Sequence, residues 1–315
     1  MRFMDRHSRF TAVLGCLAAL AMTGCAGNSG ATPAAPSAIQ PQAHRITFGP
    51  GWVQQDGILY HVPHYMATRG QAGRNSSGLG YGGGPVEVTP TVFLIFWGYA
   101  KYGDPEHVKP LLKDYIANMG GSGHNNIYTQ YYEILSSEKI YITNPKSQLG
   151  GVWDDNASVP RQPTQTQIEA EALKGVAHFG YNANASYVVA TPHGRSVDGF
   201  GTSFCAYHSA TSSKGRLVSY TNLPYIPDAR AACGANYITP PSDETGADEG
   251  VTIVEGSEQG DSATDPDPPT GWQFDGAEIS IVCAWQNIAN DTFGSHSYTM
   301  QSMYSNASRS CVQSY

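Results

Sequence analysis

The chain has 315 residues and a net charge of −8, with charged residues making up only 14% of it. No basic cluster follows Arg2, Arg6 and Arg9, which excludes nucleic acid and an anionic lipid surface as partners attracted by charge. Abundant Gly, Asn, Ser, Thr and Tyr suit a secreted, loop-rich protein, and the length allows a substantial core.

Arg2, Arg6, His7 and Arg9 precede an apolar run at 10–22, the arrangement of a secretory signal and too short for a spanning helix. The run ends in Leu20-Ala21-Met22-Thr23-Gly24-Cys25. This resembles a bacterial lipobox, with Met22 where Leu is usual, and implies that Cys25 is acylated and becomes the mature N-terminus. Ala26 follows where Asp would argue for inner-membrane retention. The expectation is a protein of the bacterial cell envelope, anchored in the lipid bilayer of the outer membrane through Cys25. Residues 1–24 read as the signal peptide and 25–45 as a disordered tether of Ala, Pro, Ser, Gln and Gly. Residues 46–315 read as a single globular domain.

Residues 91–97, Thr-Val-Phe-Leu-Ile-Phe-Trp, follow the Gly-rich turn Gly82-Gly83-Gly84-Pro85 and predict a strand buried on both faces. No Lys-Ser/Thr follows these glycines and the strand comes after them, so they read as a turn and not a phosphate loop. Asp104-Pro105 has the look of a helix start, and Val108, Leu111, Leu112, Tyr115, Ile116 and Met119 share one helical face. Pro110 predicts a kink or restart in that helix. A second helix is expected at 125–135 and a short strand at 139–143. Thr164 and Gln167 have capping-box spacing and open a helix to Phe179, and 186–191 reads as another buried strand. Alternating strands and helices predict an α/β fold, a layered mixed sheet flanked by helices, with a loop-rich, disulfide-stapled C-terminal third.

With Cys16 lost in the signal and Cys25 lipidated, Cys205, Cys233, Cys283 and Cys311 remain, an even number in an oxidising compartment. Three pairings are open. Chain order favours Cys205 with Cys233 and Cys283 with Cys311, each worth about 3 kcal/mol in the chain-entropy model. A helix is expected at 248–266, with Glu255, Glu258, Asp261 and Asp265 along one face. That face is either solvated or a site where carboxylates act as ligands or as acid and base.

The pieces Gly82-Gly83-Gly84-Pro85, Val92-Phe93-Leu94-Ile95-Phe96-Trp97-Gly98, Phe204-Cys205-Ala206-Tyr207-His208-Ser209 and Thr264-Asp265-Pro266 resemble the phosphate-induced (EXORDIUM-like) secreted proteins and their bacterial zincin-like relatives. The resemblance implies a metallopeptidase-related domain in which Glu258 matches the general base, Asp261 a ligand one turn on and Glu278 a downstream carboxylate. It departs from the family at two points, with Ser257 where the first histidine would stand and Ile281 where an Asp would precede Cys-Ala-Trp. Among His193, His208 and His296, His208 is the candidate to supply the missing imidazole. The expected cofactor is zinc or calcium, or none, since an oxygen-only remnant suits a hard cation better than zinc. A serine hydrolase built on Ser203, Ser209 or Ser257 lacks a Gly-x-Ser-x-Gly elbow.

Three function classes follow. The chain is a degenerate zincin-like lipoprotein, a pseudoenzyme with a binding or structural role; an active metal-dependent hydrolase or peptidase using Glu258; or an envelope protein that binds cell-wall or extracellular polysaccharide or peptide. Ser257 and Ile281 favour the first.

Overall fold

The apolar run at 91–97 forms the strand expected of it, and a six-stranded sheet assembles around it. The computed structural model describes residues 64–69 and 78–315, together with the backbone of two short paired strands, Trp52–Gln55 and Ile58–His61. The signal, Cys25 and the whole of the tether at 25–45 lie outside the described residues. The strands of the main sheet are β1 (His64–Ala67), β2 (Thr91–Trp97), β3 (Leu149–Asp155), β4 (Ala185–Ala190), β5 (Phe204–Ser213) and β6 (Arg216–Leu223). Their spatial order is β1-β5-β6-β4-β2-β3. β6, β4, β2 and β3 run parallel, while β1 and β5 pair antiparallel at the other side.

Alternation along β2 feeds two separate cores, which is why the run reads as continuously apolar. Phe93, Ile95 and Trp97 pack with Ile168, Ala172 and Val176 of helix α2 (Gln165–Phe179). Val92, Leu94 and Phe96 pack with Leu112 and Ile116 of helix α1 (Val108–Asn118) and with Val251 and Val254 of helix α3 (Glu249–Thr264). The sheet is therefore a layer between α2 on one face and α1 with α3 on the other. α2 opens on the expected capping box, in which the Thr164 hydroxyl accepts from Gln167 N and the Gln167 side chain accepts from Thr164 N.

Three local expectations are corrected. α1 begins at Val108, so Pro110 falls in the first turn, where its missing N–H breaks no helical hydrogen bond and no kink is needed. Asp104 caps it from outside, its carboxylate accepting from Val108 N and Lys109 N at 2.8 and 3.0 Å. The helix expected at 125–135 is a 3₁₀ segment, Asn125–Gln130, followed by a hairpin of Tyr132–Leu135 with Glu138–Tyr141. Ser136 and Ser137 both take left-handed backbone and close that hairpin. The solvated acidic face of the 248–266 helix does not exist: every residue of α3 is buried.

α3 is central because its small residues let neighbours close in. A Cβ on Gly250 would lie 1.8 Å from the Cys233 carbonyl oxygen, and one on Gly256 2.5 Å from Met300 Cε and 2.7 Å from the Tyr115 hydroxyl. Both disulfides form in the order suggested by the chain, Cys205–Cys233 and Cys283–Cys311. The first ties β5 to the segment that α3 packs against. No helix among the described residues is long and apolar enough to cross a membrane.

Candidate functional site

α3 carries its carboxylates at three- and four-residue steps, so burying the helix buries a polar stripe. On β5 the side chains alternate, with Tyr207 in the α2-side core and His208 turned towards α3. The His208 ring lies between two carboxylates. Its Nδ1 is 3.4 Å from Glu258 Oε2, and its Nε2 is 3.2 Å from Glu278 Oε1 and 3.3 Å from the Asp265 carbonyl oxygen. His208, Asp261 and Glu278 each bring one ligand atom within 4.8 Å of the others, and all three are buried. Of the expected site residues, the structure thus gathers His208, Asp261 and Glu278 into one shell and sets Glu258 against the far nitrogen of the same imidazole.

The other histidines stand elsewhere. His193 is exposed and pairs with Asp228, its Nδ1 2.6 Å from the carboxylate. His296 pairs with Asp114 and Asp243 at 3.0 and 3.3 Å in a separate, half-buried cluster. Ser257 does not face His208, because its hydroxyl donates back to the Ile253 carbonyl one turn earlier at 2.7 Å. Ile281, where the family resemblance placed a carboxylate, lies in a short 3₁₀ turn and packs against two apolar clusters.

Several participants carry no signal in the sequence. Ser280 donates both its N–H (2.8 Å) and its hydroxyl to the Asp261 carboxylate, fixing that side chain. Gly271 N donates to Asp265 Oδ1 at 2.7 Å. Glu87, also fully buried, accepts from the Ser262 hydroxyl at 3.0 Å, and Ser262 and Ser219 share a further bond at 2.7 Å. The Gly-rich turn explains how Glu87 arrives there. Gly82 N and Gly84 N donate to Gly271 O and Thr270 O, and Glu87 N donates to Ala263 O, so the turn straps the end of α3. A serine two residues after Glu278, and an acid after the glycines, become legible only once the helix is known to be central.

The electrostatics are those of too many acids around one base. Glu87, Glu258, Asp261, Asp265 and Glu278 surround one imidazole, all at 0–1% exposure. Burial first, then the neighbouring Glu278, holds both Asp261 and Asp265 well above the usual carboxylate range. Burial also drives Glu255 well up, with Glu258 adding to it, and neither Glu255 oxygen meets a hydrogen-bond donor among the described residues. Glu87 is pushed up to about 8 by burial, against the Ser262 hydrogen bond and His208. For His208 burial alone would favour the neutral ring, but Glu278 and Glu258 overcome it and raise its pKa well above the ordinary value. Left ionised without compensation, such groups would each cost several kcal/mol.

One imidazole and two carboxylates form a mixed nitrogen–oxygen set that suits a divalent transition ion, zinc included, better than the oxygen-only remnant expected from the helix alone. Glu258 on Nδ1 has the place of a carboxylate that orients a ligating histidine. Comparison with family models, with curated proteins and with solved structures finds no match to this chain.

Proposed function

We propose that this is a lipid-anchored envelope protein whose zincin-like domain does not hydrolyse peptides and instead has a binding or structural role built around a sealed metal centre. The observation that carries this reading is the burial of the ligand set. His208 and Glu278 sit at 0% exposure, and Asp261 and Glu258 at 1%. A catalytic metal keeps a position open to water and substrate, whereas a structural one is closed. Glu258 faces the imidazole of the same centre, which supports an orienting role and not that of a base acting on water. Ser257 and Ile281, turned to helix back-bonding and apolar packing, support the loss of the peptidase shell.

A bound divalent ion would supply charge compensation there, held by His208, Asp261 and Glu278, with Ser280 fixing Asp261 and Glu258 orienting the ring. The lipid anchor at Cys25, the outer-membrane location and the descent from the EXORDIUM-like family belong to the same proposal and rest on the lipobox and the motifs quoted above.

Elemental analysis of the purified chain after dialysis, together with a peptidase screen of the wild type and Glu258→Gln, tests the reading. The expected result is about one equivalent of a divalent metal and no hydrolysis by either protein. Peptidase activity that disappears in Glu258→Gln while the fold is kept would overturn it in favour of an active metal-dependent hydrolase.

A further inference from the structure

On the opposite face of the sheet from His208, a surface pocket of about 340 Å³ opens beside the N-terminus of α2, lined by Tyr65, Gln162, Thr164, Gln165, Asp198 and Tyr207 among others. We propose that it binds one or two rings of a neutral polysaccharide. The pocket combines two kinds of wall. The aromatic wall is Tyr65, which stays 44% exposed although its ring is packed against Phe204 at 4.8 Å and Tyr207 at 5.2 Å. A flat apolar face that is held in place and left open to solvent is suited to the C–H face of a pyranose ring. Tyr207 closes the depth of this wall; its hydroxyl is buried and has no hydrogen-bond partner among the described residues.

The polar wall is made of short, planar or hydroxyl side chains. Gln162 Nε2 donates to Asp198 Oδ1 at 3.0 Å, which ties the two together while each remains exposed. Amide, carboxylate and hydroxyl groups side by side offer donors and acceptors to adjacent sugar hydroxyls. No Lys or Arg lines the pocket, and Asp198 places a carboxylate in it, so an anionic ligand such as a phosphate or an acidic glycan is disfavoured. The volume is at the small end of the about 300–1,000 Å³ found for ligand clefts, enough for a short stretch of chain and not for a large cofactor. This site shares no residue with the proposed metal centre, so either can fail without the other.

The test uses the mature chain with four probes: tetramers of β-1,4-linked N-acetylglucosamine, of β-1,4-linked glucose and of α-1,4-linked glucose, and an uncharged tetrapeptide. Calorimetry or saturation-transfer NMR reads the binding. At least one saccharide is expected to bind. Gln162→Ala with Asp198→Ala, and separately Tyr65→Ala, should each weaken that binding tenfold or more. The Gln162 and Asp198 side chains are exposed, so that variant should melt like the wild type and keep the test independent of any packing change at Tyr65. Binding of the N-acetylated tetramer alone assigns the ligand to cell-wall glycan, and binding of a glucose tetramer to an extracellular polysaccharide. No saccharide binding, binding of the peptide alone, or saccharide affinity unchanged in both variants would overturn the proposal.

Discussion

Replacing His208 by Gln removes the only imidazole of the buried cluster while roughly keeping its volume. In the wild type the ring is 3.4 Å from Glu258 and 3.2 Å from Glu278, with all three residues at 0–1% exposure. Breaking one partner of a buried ion pair costs about 3–5 kcal/mol, because the remaining charge is left uncompensated. A domain of this size shifts its melting temperature by about 2–4 °C per kcal/mol, so the variant should melt about 6–20 °C lower at pH 7. The pH dependence is the sharper part. His208 has a raised folded pKa, so its contribution is fully present below the ordinary histidine value and lost as pH rises through the folded one. In the variant the deficit should therefore be larger at pH 5 than at pH 7, because the wild-type contribution is full only at the lower value. Thermal and urea melts of metal-free protein with the disulfides intact, read by circular dichroism at both pH values, measure this. A loss below about 1 kcal/mol, or an equal loss at the two pH values, would refute the argument that charge, and not packing, is what His208 supplies.

Glu244, outside that cluster, provides an independent pH test. Burial pushes its carboxyl up to about 8 against hydrogen bonds from Thr252 and Thr299. A raised carboxyl favours the protonated fold, so its contribution is full below about 4.5 and is lost as pH rises towards 8. Glu244→Gln can reproduce the contacts, because the Thr252 hydroxyl also donates to Thr299 O at 2.8 Å and can accept from the new amide. The urea midpoint should hardly change at pH 5 and should rise in the variant at pH 8.5; a fall at both would contradict the assignment. Gly250→Ala should destabilise by more than about 3 kcal/mol, since the new methyl meets the Cys233 carbonyl at 1.8 Å and that backbone is held by a disulfide. A melting temperature within a few degrees of wild type would show that α3 can move away from it.

Much of the fold was legible because local signals and global packing agreed. β2 was visible as an unbroken apolar run, α2 from its cap and stripe, and the disulfide pairs from chain order. The hairpin at 132–141 was missed because Ile127, Tyr131, Ile134 and Leu135 fall on a helical spacing, yet Ile134 is 46% exposed and the spacing is incidental. The β5–β6 hairpin was missed as strand because its core positions include His208, Ser209, Thr211, Ser219 and Thr221, so burial is not announced by apolar residues. In the site, the helical steps of Glu258 and Asp261 were readable and the closeness of His208 was not. Fifty residues separate His208 from Glu258, and only the strand placement of β5 against α3 joins them.

The burial of α3 also bears on why its carboxylates persist. A helix needed only for packing would be as stable, or more so, with apolar residues in place of Glu258, Asp261 and the groups around them, since buried ionic groups seldom repay their desolvation. Two positions already follow that course. Ile281 adds to the apolar clusters at the point where a carboxylate was expected, and Ser257 satisfies its hydroxyl within its own helix. His208, Asp261 and Glu278 do not follow it: they remain oriented towards one another, with Ser280 committed to Asp261 and Glu258 to the ring. Apolar packing and self-satisfied hydroxyls around a shell of facing ligands are what the proposed sealed cation site requires. The metal content of the purified chain and the pH dependence of His208→Gln therefore test one statement from two sides.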